Sequence, residues 1–359
     1  MSFIIATGPA LPIIIGGFLL AALIAFAATP SIHAYVKRHR IMDHPDPRRI
    51  HDRPLPRGGG VSVVIAFVLV GGGILLLGGI LPGMPAYRSV RPEHVVGLFG
   101  GAILATVIGA LDDRFDLRAR WQFLGQLTVA GVAVATGIVV QDISDPFHPG
   151  NNIDFLFEVG VVFTVVWIVG MINSLNFIDG LDGLSSGIAL IAAVTLGLLS
   201  LTVGVNQPIV AILCFVLAGG LLGFLRWNFY PAVIFQGTAG VMFLGYVLGV
   251  LAILGSAKII VALLVLAVPI IDTFWVIVRR MSSGRSPFTP DRGHIHHRLL
   301  DLGLSHRSTV LLIYVVCASL GFMSLFVSSA IGILAFIGAL VVLGVIAFLL
   351  RRDPTEAAS

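Results

Sequence analysis

Eleven apolar runs divide this chain, at the spacing expected of helices that cross a hydrocarbon layer about 30 Å thick with about 20 residues each. They are Leu11–Ala28, Val61–Leu81, Val95–Leu111, Trp121–Val140, Val159–Leu175, Leu184–Val203, Ile209–Leu225, Gly240–Leu254, Ile259–Val278, Val310–Val327 and Ile331–Leu350. The eighth is short and glycine-rich, and the seventh is expected to be broken or tilted. Hydrophobic residues make up 57% of the chain and charged residues 11%, against about 25% charged in a soluble domain. The polar connections are too short to hold a large soluble domain. The expected fold is therefore an all-α polytopic membrane protein, with about 11 transmembrane helices in a single membrane domain over residues 1–359. The first apolar run lacks a basic leader and a cleavage site, so it reads as a retained helix. Cys214 and Cys317 lie inside apolar runs and imply no disulfide framework.

Eleven spans put the two termini on opposite sides. One set of connections then holds Lys37, Arg38, Arg40, Arg48, Arg49, Arg53, Arg57, Arg114, Arg118, Arg120, Arg226, Arg279, Arg280, Arg285, Arg292, Arg298, Arg307, Arg351 and Arg352; Arg88, Arg91 and Lys258 make up the rest of the 22 basic residues. By the positive-inside rule the N-terminus is outside and the C-terminus cytoplasmic. The net charge of +4 reflects this asymmetry and does not imply a nucleic-acid partner. The outer segment Gln141–Glu158, with four acidic residues and no Lys or Arg, reads as a solvated loop.

The unusual polar stretches all fall on the cytoplasmic side. The densest is Asn173-Ser-Leu-Asn176-Phe-Ile-Asp179-Gly-Leu-Asp182-Gly183. Groups at three-residue steps share a helix face, and polar groups at membrane depth are costly enough to suggest function. The blander alternative is a helix cap and turn. A second cluster is Asp112-Asp113-Arg114-Phe-Asp116. Adjacent carboxylates repel unless they share a cation or proton, and hard oxygen ligands suit Mg²⁺. Its alternative is a solvated helix end neutralised by Arg114, Arg118 and Arg120.

Three further loops complete the set. Arg48, Arg49 and His51, ahead of Gly58-Gly59-Gly60, suit a phosphate or simply obey positive-inside. Arg226-Trp-Asn228 runs into Gly237-Thr238-Ala-Gly240. Arg285 and the run His294-Ile-His296-His297-Arg298 favour an anion over zinc, because arginines flank the histidines. Asp272, in the ninth run, either faces the site or pairs with an arginine.

Together these motifs resemble the polyprenyl-phosphate N-acetylhexosamine-1-phosphate transferases, in their WecA/TagO-like branch, over most of the chain. Asp112-Asp113-x-x-Asp116 resembles that family's first aspartate motif, and Asn173-x-x-Asn176-x-x-Asp179-Gly-x-Asp182-Gly183 its second. Arg48-Arg49-x-His51 resembles its substrate loop, and His294-Ile-His296-His297-Arg298 its histidine motif. The resemblance implies transfer of a sugar-1-phosphate, most simply N-acetylglucosamine-1-phosphate, from a UDP-N-acetylhexosamine to undecaprenyl phosphate with release of UMP. It implies a bacterial inner (cytoplasmic) membrane setting, a site facing the cytoplasm and a homodimer as the common assembly. Asp112, Asp113 and Asp116 are the implied catalytic carboxylates, and Asp179, with Asp112 and Asp113, the implied ligands of Mg²⁺, or of Mn²⁺ in its place. Substrate contacts are implied for Asn173, Asn176, Asp182, Arg48, Arg49, His51, Asn228, Thr238, Arg285, His294, His296, His297 and Arg298. The chain departs from the pattern at Gly237-Thr238-Ala239-Gly240-Val241, where the family usually reads Gly-Asp-x-Gly-Ser. A neutral Thr238 weakens metal affinity and leaves a diverged or inactive relative that binds lipid phosphate as the rival reading. A membrane lipid transporter is the other rival. It is disfavoured by the absence of a visible internal repeat and by polar groups gathered at one face.

Overall fold

The computed structural model describes residues 10–43, 54–78, 90–145, 148, 151–202, 205–255, 259–284, 294–326 and 329–349. Arg48, Arg49, His51 and Arg285 lie outside these residues. In chain order the elements are α1 (Ala10–Arg38), β1 (Met42–Asp43), β2 (Leu55–Pro56), α2 (Val61–Gly78), α3 (Pro92–Phe115) and α4 (Ala119–Ala135). There follow β3 (Asp142–Ser144), β4 (Asn152–Asp154), α5 (Phe157–Ile178), α6 (Leu184–Ser200), α7 (Pro208–Asn228) and α8 (Gly237–Leu254). The last are α9 (Ile259–Val265), α10 (Ala267–Ser282), α11 (Ile295–Asp301), α12 (His306–Ser324) and α13 (Ser329–Leu349).

Each of the eleven apolar runs coincides with helix. Among the described residues, seven helices are long and apolar enough to cross a membrane: α1, α2, α3, α5, α7, α8 and α12. The bent pair α9–α10 adds an eighth if counted as one span. α4 and α6 are shorter, at 17 residues each. The seventh run, expected to be broken or tilted, is the unbroken helix α7. The interruption falls in the ninth, where α9 and α10 meet at 79°. Pro269 lies in the first turn of α10, where a missing N–H is tolerated because no carbonyl precedes it in the helix. The segment Gln141–Glu158, expected to be a solvated loop, carries a short ladder: β3 and β4 pair antiparallel, Asp142 opposite Asp154.

α7 and α8 are buried on nearly every side and form the centre of the bundle. α1, α2 and α6 surround α7, while α3 and α5 flank α8. Outward-facing side chains such as Leu19, Leu23, Leu69 and Val166 are exposed and apolar, as a hydrocarbon solvent requires. The close approaches use small residues, as in other membrane bundles. At Gly109 of α3, a Cβ would come within 2.5 Å of the Ala239 Cα and the Thr238 carbonyl oxygen. Higher up the same seam, the Tyr246 hydroxyl donates to the Gly97 carbonyl at 2.7 Å.

This contact sets the height of α8 against α3. Gly109→Ala is expected to destabilise the solubilised protein by about 1–3 kcal/mol, the usual cost of overpacking. Gly100→Ala, with nothing within 4 Å, is expected to be neutral. Thermal unfolding in detergent reads the difference, and equal effects at the two positions would contradict the seam.

Candidate active site

The two acidic segments end the two helices that flank α8. α3 terminates at Phe115 because Asp116 adopts a left-handed conformation, with φ 46°, and its N–H returns to the Asp112 carbonyl. The carboxylates of Asp112 and Asp113 are buried, at 6% and 5% exposure, so this is not a solvated helix end. Arg114 and Arg120 lie over Phe115 and Trp121 instead of neutralising them.

Asp113 is held by the start of α8. The Thr238 N–H donates to its Oδ1 at 2.9 Å, and the Ala239 N–H to its Oδ2 at 3.1 Å. A helix N-terminus supplies both unpaired N–H groups and a favourable dipole for such an anion. Thr238 contributes its backbone to this contact, and its hydroxyl makes no hydrogen bond to a described residue. Gly237, with φ +76°, permits the approach: a Cβ there would come 2.7 Å from the Asp113 Oδ2.

Arg57 completes the arrangement. Its Nε donates to the Asp113 carbonyl at 3.0 Å, and its Nη2 reaches the Asp112 and Asp113 carbonyls at 3.2 and 2.9 Å. Nη2 also meets the Asp116 Oδ1 at 2.5 Å, and Nε lies 3.6 Å from the Asp113 Oδ1. With the Asp43 Oδ1 3.8 Å from Nη1, one fork thus satisfies the open carbonyls of a helix end and faces three carboxylates. The segment carrying Arg57 is anchored beside α8, because the Gly59 N–H donates to the Phe235 carbonyl and the Gly60 N–H to the Gln236 carbonyl, both at 2.9 Å. The Asp112 Oδ1 accepts from the Leu117 N–H at 3.0 Å and the Gln122 side chain at 2.7 Å.

The second acidic segment departs from a single helical face. α5 ends at Ile178, so Asn173 and Asn176 are helical, Asp179 is the cap residue, and Asp182 sits in the following turn. Asn173 is committed to α4: its amide donates to the Gln126 side chain at 2.7 Å and to the Val169 carbonyl at 2.8 Å. Asn176 makes no hydrogen bond through its side chain to a described residue. The Asp179 Oδ1 accepts from the Ser185 hydroxyl, and its other oxygen has no such partner among the described residues. Burial pushes the Asp179 carboxyl up to about 7; the Ser185 bond opposes this, and the negative charges of Asp113 and Asp182 add to it. Near neutral pH a carboxyl so placed gains from a nearby cation.

Behind Asp179 lies a buried polar layer. The Ser185 and Ser186 hydroxyls both lie within hydrogen-bond reach of the Gln236 side-chain oxygen, and the Ser186 hydroxyl also lies 2.6 Å from the Asn228 side-chain oxygen, so each single proton is shared between two acceptors. Asn228 in turn donates to the Ile234 carbonyl at 3.1 Å. Asn228 therefore braces the loop before α8. The Asp182 Oδ2 accepts from the Ala232 N–H at 2.8 Å, so Asp182 braces the same loop.

The histidine run closes one side. His294 Nδ1 lies 2.7 Å from the Asp272 Oδ2, and the Ile295 N–H donates to the Asp272 Oδ1 at 2.8 Å. Among the described contacts, Asp272 therefore pairs with a histidine and a main-chain donor. His296 is fully buried, lies beside the rings of His294 and His297, and has no hydrogen-bond partner at either nitrogen among the described residues. Burial first, then the neighbouring histidines, hold its pKa well below the usual value, so it is neutral. Its Nε2 would come 2.5 Å from a Cβ on Gly180. The glycine in Asp179-Gly180 is thus the seat of His296. His297 and Arg298 lie in the same short helix, α11.

Among the described residues, no three His, Cys, Asp or Glu side chains form a ready-made metal cage. The donors fit an ion held by one or two carboxylates and completed by phosphate oxygens and water, the usual habit of Mg²⁺. Sequence reading did not single out Arg57, Gln122, Gln126, Ser185, Ser186, Gln236 or His306 as site residues. Ser185-Ser186 directly after Asp182-Gly183, and Gln236 directly before Gly237, were the available signals.

The family model for glycosyl transferase family 4 matches residues 95–256. A decaprenyl-phosphate N-acetylglucosaminephosphotransferase of Mycobacterium tuberculosis is 34% identical over 367 residues, covering 93% of this chain and 88% of that protein. Its counterpart in Mycolicibacterium smegmatis is 34% identical over 326 residues, covering 82% and 77%. An undecaprenyl-phosphate alpha-N-acetylglucosaminyl 1-phosphate transferase of Thermotoga maritima is 30% identical over 284 residues, covering 77% and 78%. The chain is a polytopic membrane protein that belongs to glycosyl transferase family 4.

Arg57 has three carbonyl contacts and three carboxylates to satisfy with one planar group. Arg57→Leu is expected to cost about 2–3 kcal/mol of stability, since hydrogen bonds to a charged group are among the stronger ones. Arg57→Lys is expected to recover less than half, because an ammonium cannot reproduce the fork. Unfolding midpoints in detergent test this, and a Lys variant as stable as wild type would contradict it.

Proposed function

We propose that the chain transfers N-acetylglucosamine-1-phosphate from a UDP-sugar to a polyprenyl phosphate, with Mg²⁺, at the cytoplasmic face of a bacterial inner membrane, in an eleven-span topology with the C-terminus inside. The observation that carries the reading is that the start of α8 links two buried carboxylates: the Thr238 and Ala239 N–H groups hold Asp113, and Gln236, one residue earlier, lies against the Ser185 hydroxyl that holds Asp179. The names of the relatives support the sugar and the lipid acceptor. Polar groups collected at one end of the bundle fit chemistry on a lipid headgroup better than passage through the membrane.

Phosphoryl transfer depends on alignment and charge stabilisation more than on covalent chemistry. Asp179, with its open carboxylate oxygen, and neighbouring Asp113 would hold the ion; Thr238 adds no carboxylate to them. When bound, Mg²⁺ supplies positive charge to the donor's phosphates. Arg57 keeps the end of α3 in place so that Asp113 faces Asp179. Phosphate monoesters have a second pKa near 6, so the lipid phosphate is largely ionised at neutral pH and can attack the β-phosphorus without a strong base. The remaining proton on the acceptor falls to Asp112 or Asp113. His296, neutral and buried against Gly180, together with His297 and Arg298, forms the wall on the donor's side.

UMP release tests this, with undecaprenyl phosphate, a panel of UDP-sugars, and Mg²⁺ present or omitted. UMP is expected to appear only with both substrates and Mg²⁺, and to be fastest with UDP-N-acetylglucosamine. Asp113→Asn is expected to lower turnover by about 10³-fold or more, the scale of losing a charged group at the transition state, while UDP-sugar binding stays within a few fold. Near-wild-type turnover in that variant would remove Asp113 from the chemistry.

A further inference from the structure

Helix α12 lies outside the segment matched by the family model, yet it grips the turn that carries Asp179. The His306 Nε2 accepts the main-chain N–H of Asp182 at 3.0 Å. Two turns further along α12, the Tyr314 hydroxyl donates to the Gly183 carbonyl. Tyr314 lies over Gly187, where a Cβ would collide with its ring. Gly183 adopts φ 78°, so its carbonyl is presented by a conformation that glycine accommodates without strain.

The contacts close on themselves. His306 stacks on Tyr230, with ring centroids 4.6 Å apart and planes at 29°. Tyr230 lies two residues before Ala232, whose N–H is taken by the Asp182 carboxylate. Arg307 lies 6.0 Å above the ring of Phe229. The first turn of α12 therefore holds the Asp179–Gly183 turn and the loop before α8 at once. An acceptor at Nε2 requires the neutral imidazole with its proton on Nδ1.

We propose that α12 is a positioning element for this site: His306 and Tyr314 fix the main chain of Asp182 and Gly183, and thereby set where the Asp179 carboxylate points. Neither side chain need touch substrate. A misplacement of about 1 Å at a reacting centre can cost about 10²-fold in rate, so the effect falls on kcat more than on KM. The kinetic part of this inference rests on the transferase reading, and the structural part does not.

The experiment uses the full chain with His306→Leu, His306→Gln and Tyr314→Phe. Glutamine keeps an acceptor oxygen at similar reach, and leucine removes it. Amide hydrogen exchange is followed in the peptide spanning residues 178–187, alongside kcat and KM for UMP release. His306→Leu and Tyr314→Phe are expected to speed exchange in that peptide about tenfold, the effect of losing one hydrogen bond. They are also expected to lower kcat tenfold or more with KM within threefold. His306→Gln is expected to restore both readouts to within about threefold of wild type. Unchanged exchange in His306→Leu, or a glutamine variant as impaired as leucine, overturns the positioning role. A wild-type chain that releases no UMP overturns the transferase reading, and the exchange measurements then decide the positioning role alone.

Discussion

A carboxylate cannot be buried among apolar helices without compensation, and the compensation of Asp113 organises this molecule. Two main-chain N–H groups at the start of α8 and the guanidinium of Arg57 surround it. The two N–H donors and the charge of the guanidinium come from two different parts of the chain, so satisfying one side chain joins α3, α8 and the segment before α2. Hydrogen bonds to a charged group contribute about 1.5–3 kcal/mol each, enough to make the junction costly to open. Gly109 and Gly237 are small because backbone and carboxylate occupy the space that side chains there would need.

From that junction the polar layer spreads sideways between the helices. Gln236, one residue before α8, receives Ser185 and Ser186 from the start of α6. Ser185 holds Asp179, and Asn228 and Asp182 brace the loop between α7 and α8. Most of these groups bond across to another element, as a membrane interior demands. Among the described residues of this layer, one oxygen of Asp179, the Gln236 Nε2 and both nitrogens of His296 are left open. Open polar atoms in such a layer are where a phosphate-bearing ligand gains most.

The helices were legible because apolar runs of span length have few alternatives, and each run coincides with helix. The break before α10 was misassigned to the seventh run, although Pro269 marked it. The β3–β4 ladder was missed, since strands of three residues leave no periodic signal in an acidic loop. Spacing brought Asp112, Asp113 and Asp179 to attention, but it overextended the helix through Asp182. Periodicity also could not distinguish Asn176, which is open, from Asn173, which is bonded to Gln126. Arg57 was legible only as one positive charge among several in its loop, and His306 carried no local signal. Their importance comes from partners 56 and 124 positions away in sequence, and one chain without its fold does not display such pairings.

The cation is the link between this geometry and the proposed chemistry, and it can be observed directly. Mn²⁺ electron paramagnetic resonance on the solubilised full chain with UDP present reports bound ion without any need for turnover. One bound Mn²⁺ per chain in the wild type, lost in Asp179→Asn and retained in Asn173→Ala, is the expected result. Undiminished Mn²⁺ binding in Asp179→Asn would contradict the assignment of the ion to the turn that follows α5.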